Sequence, residues 1–439
     1  NFRADASSRF YADNRWGYFP SFSMGWRISE EPFMKSMRHI IDNLKFRVSY
    51  GTLGNINNVG NYDYFQNYSG TGYYSFDDTS AKVIKESKPA NPSLSWEKVA
   101  LTDIGLDFDL WNGKLSGTVD YYIKNTSDIL LAYNVPLETG ISNAPSQNVA
   151  KVRNRGFEFA LTHRNTIGEV SYMVSANIAT NNNEITDLSS SNDIINNLEN
   201  GHGVAKYILR EGESIGSFYG FESDGLYTQE EIDAGHYYTY GGVTPNAGDT
   251  KFVPRELDWG EEITDSDRTI IGCEVPDFTY GINLSVNYKN FEFSIFGQGI
   301  CGADVAFEVY QVHPFFHGQD NPRRYHMGRW SEENPNPHAI YPRIYTASSP
   351  HTTYNRAFND YHVFDADYFR FKTMTIGYNI PRNIVSRLGM SSLKVYLTGE
   401  NLFTIRADHK MKDFDPEATS STVRALGSKS LALGVNVSF

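Results

Sequence analysis

Long apolar runs are missing from this 439-residue sequence, and none approaches the roughly 18 uninterrupted apolar residues that a membrane-crossing helix needs. Cysteine is nearly missing too. Cys273 and Cys301 are too few for a disulfide framework and lack zinc-ligand spacing. There is no basic excess either: 39 Lys and Arg against 52 Asp and Glu leave a formal net charge of −13. Without a cationic stripe to follow a phosphate backbone, nucleic acid is excluded as a partner. The opening residues, Asn1-Phe2-Arg3-Ala4-Asp5, have neither the basic start nor the apolar core of a secretory signal. They read as the middle of a strand, so further sequence, with the signal peptide, is expected upstream.

What is present points to strands. Tyr (29) and Phe (28) far outnumber Trp (6), and Gly is plentiful at 36. The mean hydropathy of −0.46 suits a barrel with a polar interior and wet loops, since its strands need only about ten residues with every second one apolar. The period is two. Leu431, Leu433, Val435, Val437 and Phe439 alternate with Ala432, Gly434, Asn436 and Ser438, and Ile282, Leu284, Val286 and Tyr288 alternate with small or polar residues. Leu44 to Tyr50, Ile104 to Leu110, Leu115 to Ile123 and Val170 to Ile178 repeat the pattern. Alternation alone also fits a soluble β-sandwich with one inward face.

The connections decide between them. The sequence divides into about twelve strands, beginning near residues 1, 15, 42, 93, 114, 148, 169, 275, 290, 364, 391 and 427. After the first, every second connection is short: 29–41, Asn112-Gly113, 165–168, 288–290 and 381–390. Asn112-Gly113 is a pair favoured in two-residue hairpin turns, where both positions need φ > 0. The others, 55–92, 132–147, 184–274, 303–363 and 406–426, are mostly long and polar. Sorting loops by parity is the mark of an all-β, antiparallel transmembrane β-barrel with short periplasmic turns and long extracellular loops. A sandwich has no reason to do it. Short helices are expected in two of the turns, at Glu31 to Ile41 and Arg382 to Leu388, beside Pro32 and Pro381. The terminal strand, with Val435, Val437 and Phe439, is similar to the signal read by the bacterial outer-membrane assembly machinery, which sets the last strand running toward the periplasm.

Several blocks resemble the SusC/RagA family of TonB-dependent outer-membrane transporters. They are Gly212 to Phe221 with Asp224-Gly225-Leu226-Tyr227, Asp267-Arg268-Thr269-Ile270-Ile271-Gly272 with Pro276, Phe278, Tyr280 and Gly281, and Arg329-Trp330 with Glu333-Asn334-Pro335. Tyr341-Pro342-Arg343, Tyr368 to Pro381, Gly399 to Thr404, Asp415-Pro416-Glu417 and the terminal strand complete the series. The resemblance implies that residues 1–439 are the C-terminal portion of a plugged barrel of about 22 strands, with signal peptide, plug and first strands outside this sequence. It implies TonB-coupled uptake of oligosaccharides or peptides, a SusD-like surface lipoprotein as lid, and no cofactor. It also draws attention to a loop where relatives often hold calcium. Glu256, Asp258 and Asp267 keep positions 1, 3 and 12 of such a loop, but Gly260 stands at a ligand position and Glu261 replaces the turn glycine. A solvated acidic loop fits better.

No nucleophile elbow, phosphate loop or zincin helix is present, so no catalytic residue is assigned and the protein is read as a non-enzyme. His313 and His317 stand four apart in a Pro-containing outer loop and read as ordinary loop histidines. Aromatics crowd the outer loops, and Tyr237, Tyr238, Tyr310, Phe315, Phe316 and Trp330 are candidates for contact with cargo or lid. The competing reading makes them the cores of large loops. Asp107 and Asp109 share a strand face with Gly105 and are read as lumen-facing, opposite lipid-facing Leu106 and Phe108. Two other functions remain open at this point: a passive porin or structural barrel, and a secreted β-rich glycan-binding protein.

Overall fold

The computed structural model describes residues 1–132, 146–189, 193–197, 206–307, 312–315, 321–417 and 427–439. Tyr310, Phe316 and His317 lie outside them. Twelve strands follow one another as neighbours in one antiparallel sheet. They are β1 (Phe2–Ala6), β2 (Trp16–Arg27), β3 (Ile41–Asn55), β4 (Glu97–Leu110), β5 (Leu115–Ala132) and β6 (Ser146–Ile167). After them come β7 (Val170–Thr180), β8 (Phe278–Tyr288), β9 (Phe291–Cys301), β10 (Tyr368–Asn379), β11 (Ser392–Arg406) and β12 (Ser430–Ser438). A further strand, Asn182–Asp187, adds to β6 off this path. Sequence order is spatial order, as in an up-and-down barrel wall, and β1 and β12 are its two edges.

The sheet's two faces differ in chemistry. On one face the register sets Phe159 beside Ile178, Leu284 beside Ile295, and Ile376 beside Leu397 and then Leu433. Phe22, Met24, Trp26, Ile104, Phe157, Leu433 and Val435 on this face are exposed. On the other face Ser285 stands opposite Ser294, and Thr375 and Thr398 share a hydroxyl hydrogen bond of 2.9 Å. None of the largest fully buried side chains belongs to β1–β12; all are on the connections. In water an exposed apolar belt of this extent is unfavourable, whereas against hydrocarbon it is the stable face. Leu284→Arg should therefore cost about 2–4 kcal/mol while Ser285→Arg is mild, read as loss of the heat-modifiable band of the full-length protein. Equal tolerance would remove the face assignment.

The loop parity holds. Residues 28–40, 111–114, 168–169, 289–290 and 380–391 connect strands at one rim, and 56–96, 181–277, 302–367 and 407–429 are the long connections at the other. Short 3₁₀ helices form at Ile28–Glu30 and Pro32–Met37, and Arg382–Val385 is a short α-helix continued by Ser386–Leu388. Two local expectations are corrected. The Asn112-Gly113 hairpin is a four-residue connection between paired Leu110 and Leu115, with φ of +55°, +57° and +71° at Trp111, Asn112 and Gly113. The β8–β9 turn is the two residues Lys289-Asn290, one fewer than the 288–290 connection expected, and Cys301 stands opposite Phe278. Cys273 instead pairs opposite Ser217 in a loop sheet, and both cysteines are free thiols.

Candidate functional site

The polar face carries fixed charge. Arg47 on β3 reaches Asp103 (2.9 Å) and Asp107 (3.0 Å) on β4, and Asp120 on β5. Gly105 makes this possible: it lies between Arg47 and Asp120 in the register, and a Cβ there would sit 2.6 Å from the guanidinium carbon. Asp109 accepts a hydrogen bond from Asn43 at 3.3 Å. Asp107 and Asp109 are thus held by a cation and an amide on the inner wall.

Near the outer end of β10, Arg370 is almost fully buried. It meets Asp415 at 2.6 Å and Glu417 at 3.0 Å. Lys372 also binds Glu417 at 2.8 Å, Tyr368 donates its hydroxyl hydrogen to the same carboxylate at 3.2 Å, and Gln298 donates at 3.3 Å. Asp415-Pro416-Glu417 therefore straps the 407–429 loop to the polar face of β9 and β10. The sequence flagged this motif without showing what it touches.

The outer loops supply their own cores. Phe221, Tyr238, Phe252, Ile263 and Tyr354 form one, Leu226, Ala247 and Trp330 another, and Val305, Phe307, Tyr325, Tyr341, Phe364 and Phe414 a third. The recognised blocks turn out to be neighbours: Ser217–Gly220 pairs antiparallel with Thr269–Cys273, and Arg268 lies 4.2 Å over the Phe221 ring. Arg343 stacks between Trp330 (5.2 Å) and Tyr345 (5.3 Å). Asp249, fully buried, accepts from Asn355 Nδ2, Asn246 N–H and His351 Nδ1.

This packing sorts the candidate contact residues. Tyr238 stacks on Trp259 at 4.7 Å and Trp330 is 5% exposed, so both rings are engaged inside the loops. Little of either ring is left exposed on the loop surface. Tyr237 is half-buried and Phe315 is exposed. The widely exposed rings are those of the 56–96 loop: Tyr62, Phe65, Tyr68, Tyr73, Tyr74 and Phe76. In the acidic loop, Asp267 is buried and accepts from the backbone N–H groups of Thr264 (2.9 Å) and Arg255 (3.3 Å), while Glu256 and Asp258 are exposed. Among the described residues no three His, Cys, Asp or Glu side chains come together to hold a metal.

His313, read from the sequence as an ordinary loop histidine, is buried with His326 and His362, which the sequence did not single out, in the 302–367 loop. The His313 and His362 rings lie 4.5 Å apart, and His313 Nδ1 is 2.9 Å from the Tyr341 hydroxyl. His326 Nδ1 accepts the Arg323 N–H, so its Nε2–H donates to Val312 O at 2.9 Å. Burial holds all three neutral, lowering His326 to about 4 and His362 to about 3, with His313 well below its ordinary value.

An apolar belt outside, ion pairs inside and self-packed loops at one rim define the wall of a transmembrane β-barrel. The family described as TonB dependent receptor-like, beta-barrel matches residues 1–402, and the chain belongs to it. It is an outer-membrane protein, and the family comprises transporters and receptors rather than enzymes. TonB-dependent receptor P3 of Formosa agariphila is 31% identical over 95% of this chain and 40% of that protein. TonB-dependent receptor SusC of Bacteroides thetaiotaomicron is 29% identical over 95% of this chain and 39% of its own length. A structure of the RagAB peptide transporter superposes with a TM-score of 0.77 at 25% identity, covering 100% of this chain and 45% of the other. The chain thus spans less than half the length of these relatives.

Proposed function

We propose that this chain is the C-terminal barrel portion of an energised importer that takes up oligosaccharides (or peptides) across the outer membrane. The observation that carries the reading is the pairing of a lipid-facing belt with a large, internally packed outer-loop layer strapped to the inner wall at Arg370. A passive pore has little use for so much ordered structure over its mouth. Among the described residues β1 and β12 each have a neighbour on one side only, and in hydrocarbon the free edges need partners, so further strands complete the wall. Upstream segments supply the plug and the contact with TonB. A SusD-like surface lipoprotein closes over the loops, with the exposed rings of the 56–96 loop, Tyr237 and Phe315 available as anchors for lid or cargo.

The test is uptake of a fluorescent oligosaccharide series by cells carrying the full-length protein, with and without TonB. TonB-dependent uptake is expected, and uptake unchanged by TonB loss would make the barrel a passive porin. Assembly has a separate check. Val435, Val437 and Phe439 lie exposed at the end of β12, and Phe439 is 90% exposed. Changing Phe439 to Asp should lower surface levels severalfold without altering any loop contact, as read by surface biotinylation. Unchanged levels would remove Phe439 as the assembly signal.

A further inference from the structure

Two cavities meet where the 302–367 and 407–429 loops pack together, and Ile340 belongs to the walls of both. The first, about 450 Å³, is lined by Ser223, His338, Asp360, Tyr361 and Lys410. Its edge is polar: Asp360 accepts from the Ser223 N–H at 3.0 Å, and the Tyr361 ring packs against the neighbouring loop core. The second, about 260 Å³, is lined by Arg324, Tyr325, His409, Lys412 and Asp413.

Charge distinguishes the second cavity. The chain as a whole is strongly acidic, yet Arg324, His409 and Lys412 converge here with Asp413 as the one carboxylate among the lining residues. Asp413 is already engaged, accepting the Arg324 backbone N–H at 2.8 Å. The Arg324 guanidinium and the Lys412 ammonium make no ion pair among the described residues, and both side chains are exposed. Other loop cations do find carboxylates: Arg343 pairs with Glu332, Arg210 with Asp193, and Lys251 with Glu231. Two unmatched cations in a concave site attract an anionic group, and a guanidinium offers it a planar pair of donors.

We infer that this double cleft is a binding site for an acidic oligosaccharide, its carboxylate or sulfate held by Arg324 and Lys412 and the hydroxyls of the next sugar read by Asp360, Tyr361 and His338. The inference rests on the importer reading and narrows its cargo. The mixture of a carboxylate, a phenol, an imidazole and a hydroxyl in the first cavity favours a sugar over a peptide, since all four exchange hydrogen bonds with hydroxyl groups.

Titration calorimetry on the purified full-length protein tests it, with tetragalacturonate, its neutral methyl ester and tetraglutamate as probes. Tetragalacturonate should bind at least about tenfold more tightly than the ester, an advantage that R324Q/K412Q removes and that weakens with salt. The control R329Q, on the same loop but outside both cavities, should keep it. Equal affinity for acid and ester, or no binding of either, overturns the proposal; so does a double variant that keeps the preference. Tetraglutamate binding as well as the sugar acid would show that charge alone is read, and would overturn the sugar assignment. If the double variant fails to assemble, the comparison of acid with ester on the unaltered protein still decides. Binding in detergent needs no TonB, so loss of TonB-dependent uptake with binding intact counts against the importer reading alone.

Discussion

Arg370→Met in the full-length protein should release the 407–417 segment from the wall at a cost of about 3 kcal/mol. The side chain is 4% exposed and its partner Asp415 16%, so little solvent is available to rehydrate a carboxylate that loses its cation. Glu417 keeps Lys372 and the Tyr368 hydroxyl, so Asp415 bears most of the loss. The expected result is a new proteolytic cut in this loop on intact cells, with heat-modifiable migration of the barrel unchanged. Glu417→Gln alone should be milder, about 1 kcal/mol, because its pairs are more exposed. A triple apolar variant at Arg370, Asp415 and Glu417 should recover most of the loss, since the one charge it leaves without its partner, Lys372, is partly exposed to solvent. Wild-type protease resistance in Arg370→Met would show that the strap is held elsewhere.

Acid should open the loop layer before it touches the barrel. His313, His326 and His362 are neutral and buried, and each has its folded pKa depressed below the ordinary histidine value, first by desolvation. The groups facing them mostly reinforce this: Arg356 acts on His313 and His362, Lys410 on His362, and Arg323 on His326, where Asp413 opposes it. An unfolded loop takes up protons below about pH 6.5, while in the folded one His326 waits until about 4 and His362 until about 3, and burial holds His313 well below its ordinary value too. Stability is therefore fully present above 6.5 and lost as pH falls toward 4. Each histidine removes about 1.4 kcal/mol per pH unit well inside that window, so the three together remove about 4 kcal/mol for each unit. Limited proteolysis should find the 302–367 loop resistant at pH 7.5 and cut by pH 5. His362→Phe, which keeps the ring and removes the proton site, should shift the onset to lower pH. Resistance unchanged to pH 4.5 would mean that the cluster does not govern the loop.

The wall was largely legible in the sequence, because alternation along a strand is a local signal and the parity of connection lengths sets the two rims. Ile282, Leu284 and Val286 state their face without reference to any other segment. Where local chemistry was ambiguous the reading slipped by a residue or two, as at Lys289-Asn290 and Trp111 to Lys114. The loops were far less legible. Arg370 lies 45 residues from Asp415, and nothing in either stretch names its partner. Tyr238 and Trp330 look like exposed anchors in a polar loop, and only tertiary packing buries them. The histidine cluster draws on His313, His326 and His362 from separate turns of one long connection, with no periodicity to betray it. The cavities that meet at Ile340 are likewise made by loops distant in sequence.

The separation between strand faces and loop cores bears on how such a protein can change over generations. Phe221, Phe252 and Tyr354 pack against one another and not against the alternating residues of β1–β12. A substitution or insertion in that cluster therefore perturbs a small, local packing problem and leaves the strand register untouched. Selection for a new nutrient can then work on the outer surface while the membrane-embedded frame stays under its own, slower constraint. The strap at Arg370 is the exception. It is a joint between the two regimes, and the two sides of a joint have to drift together.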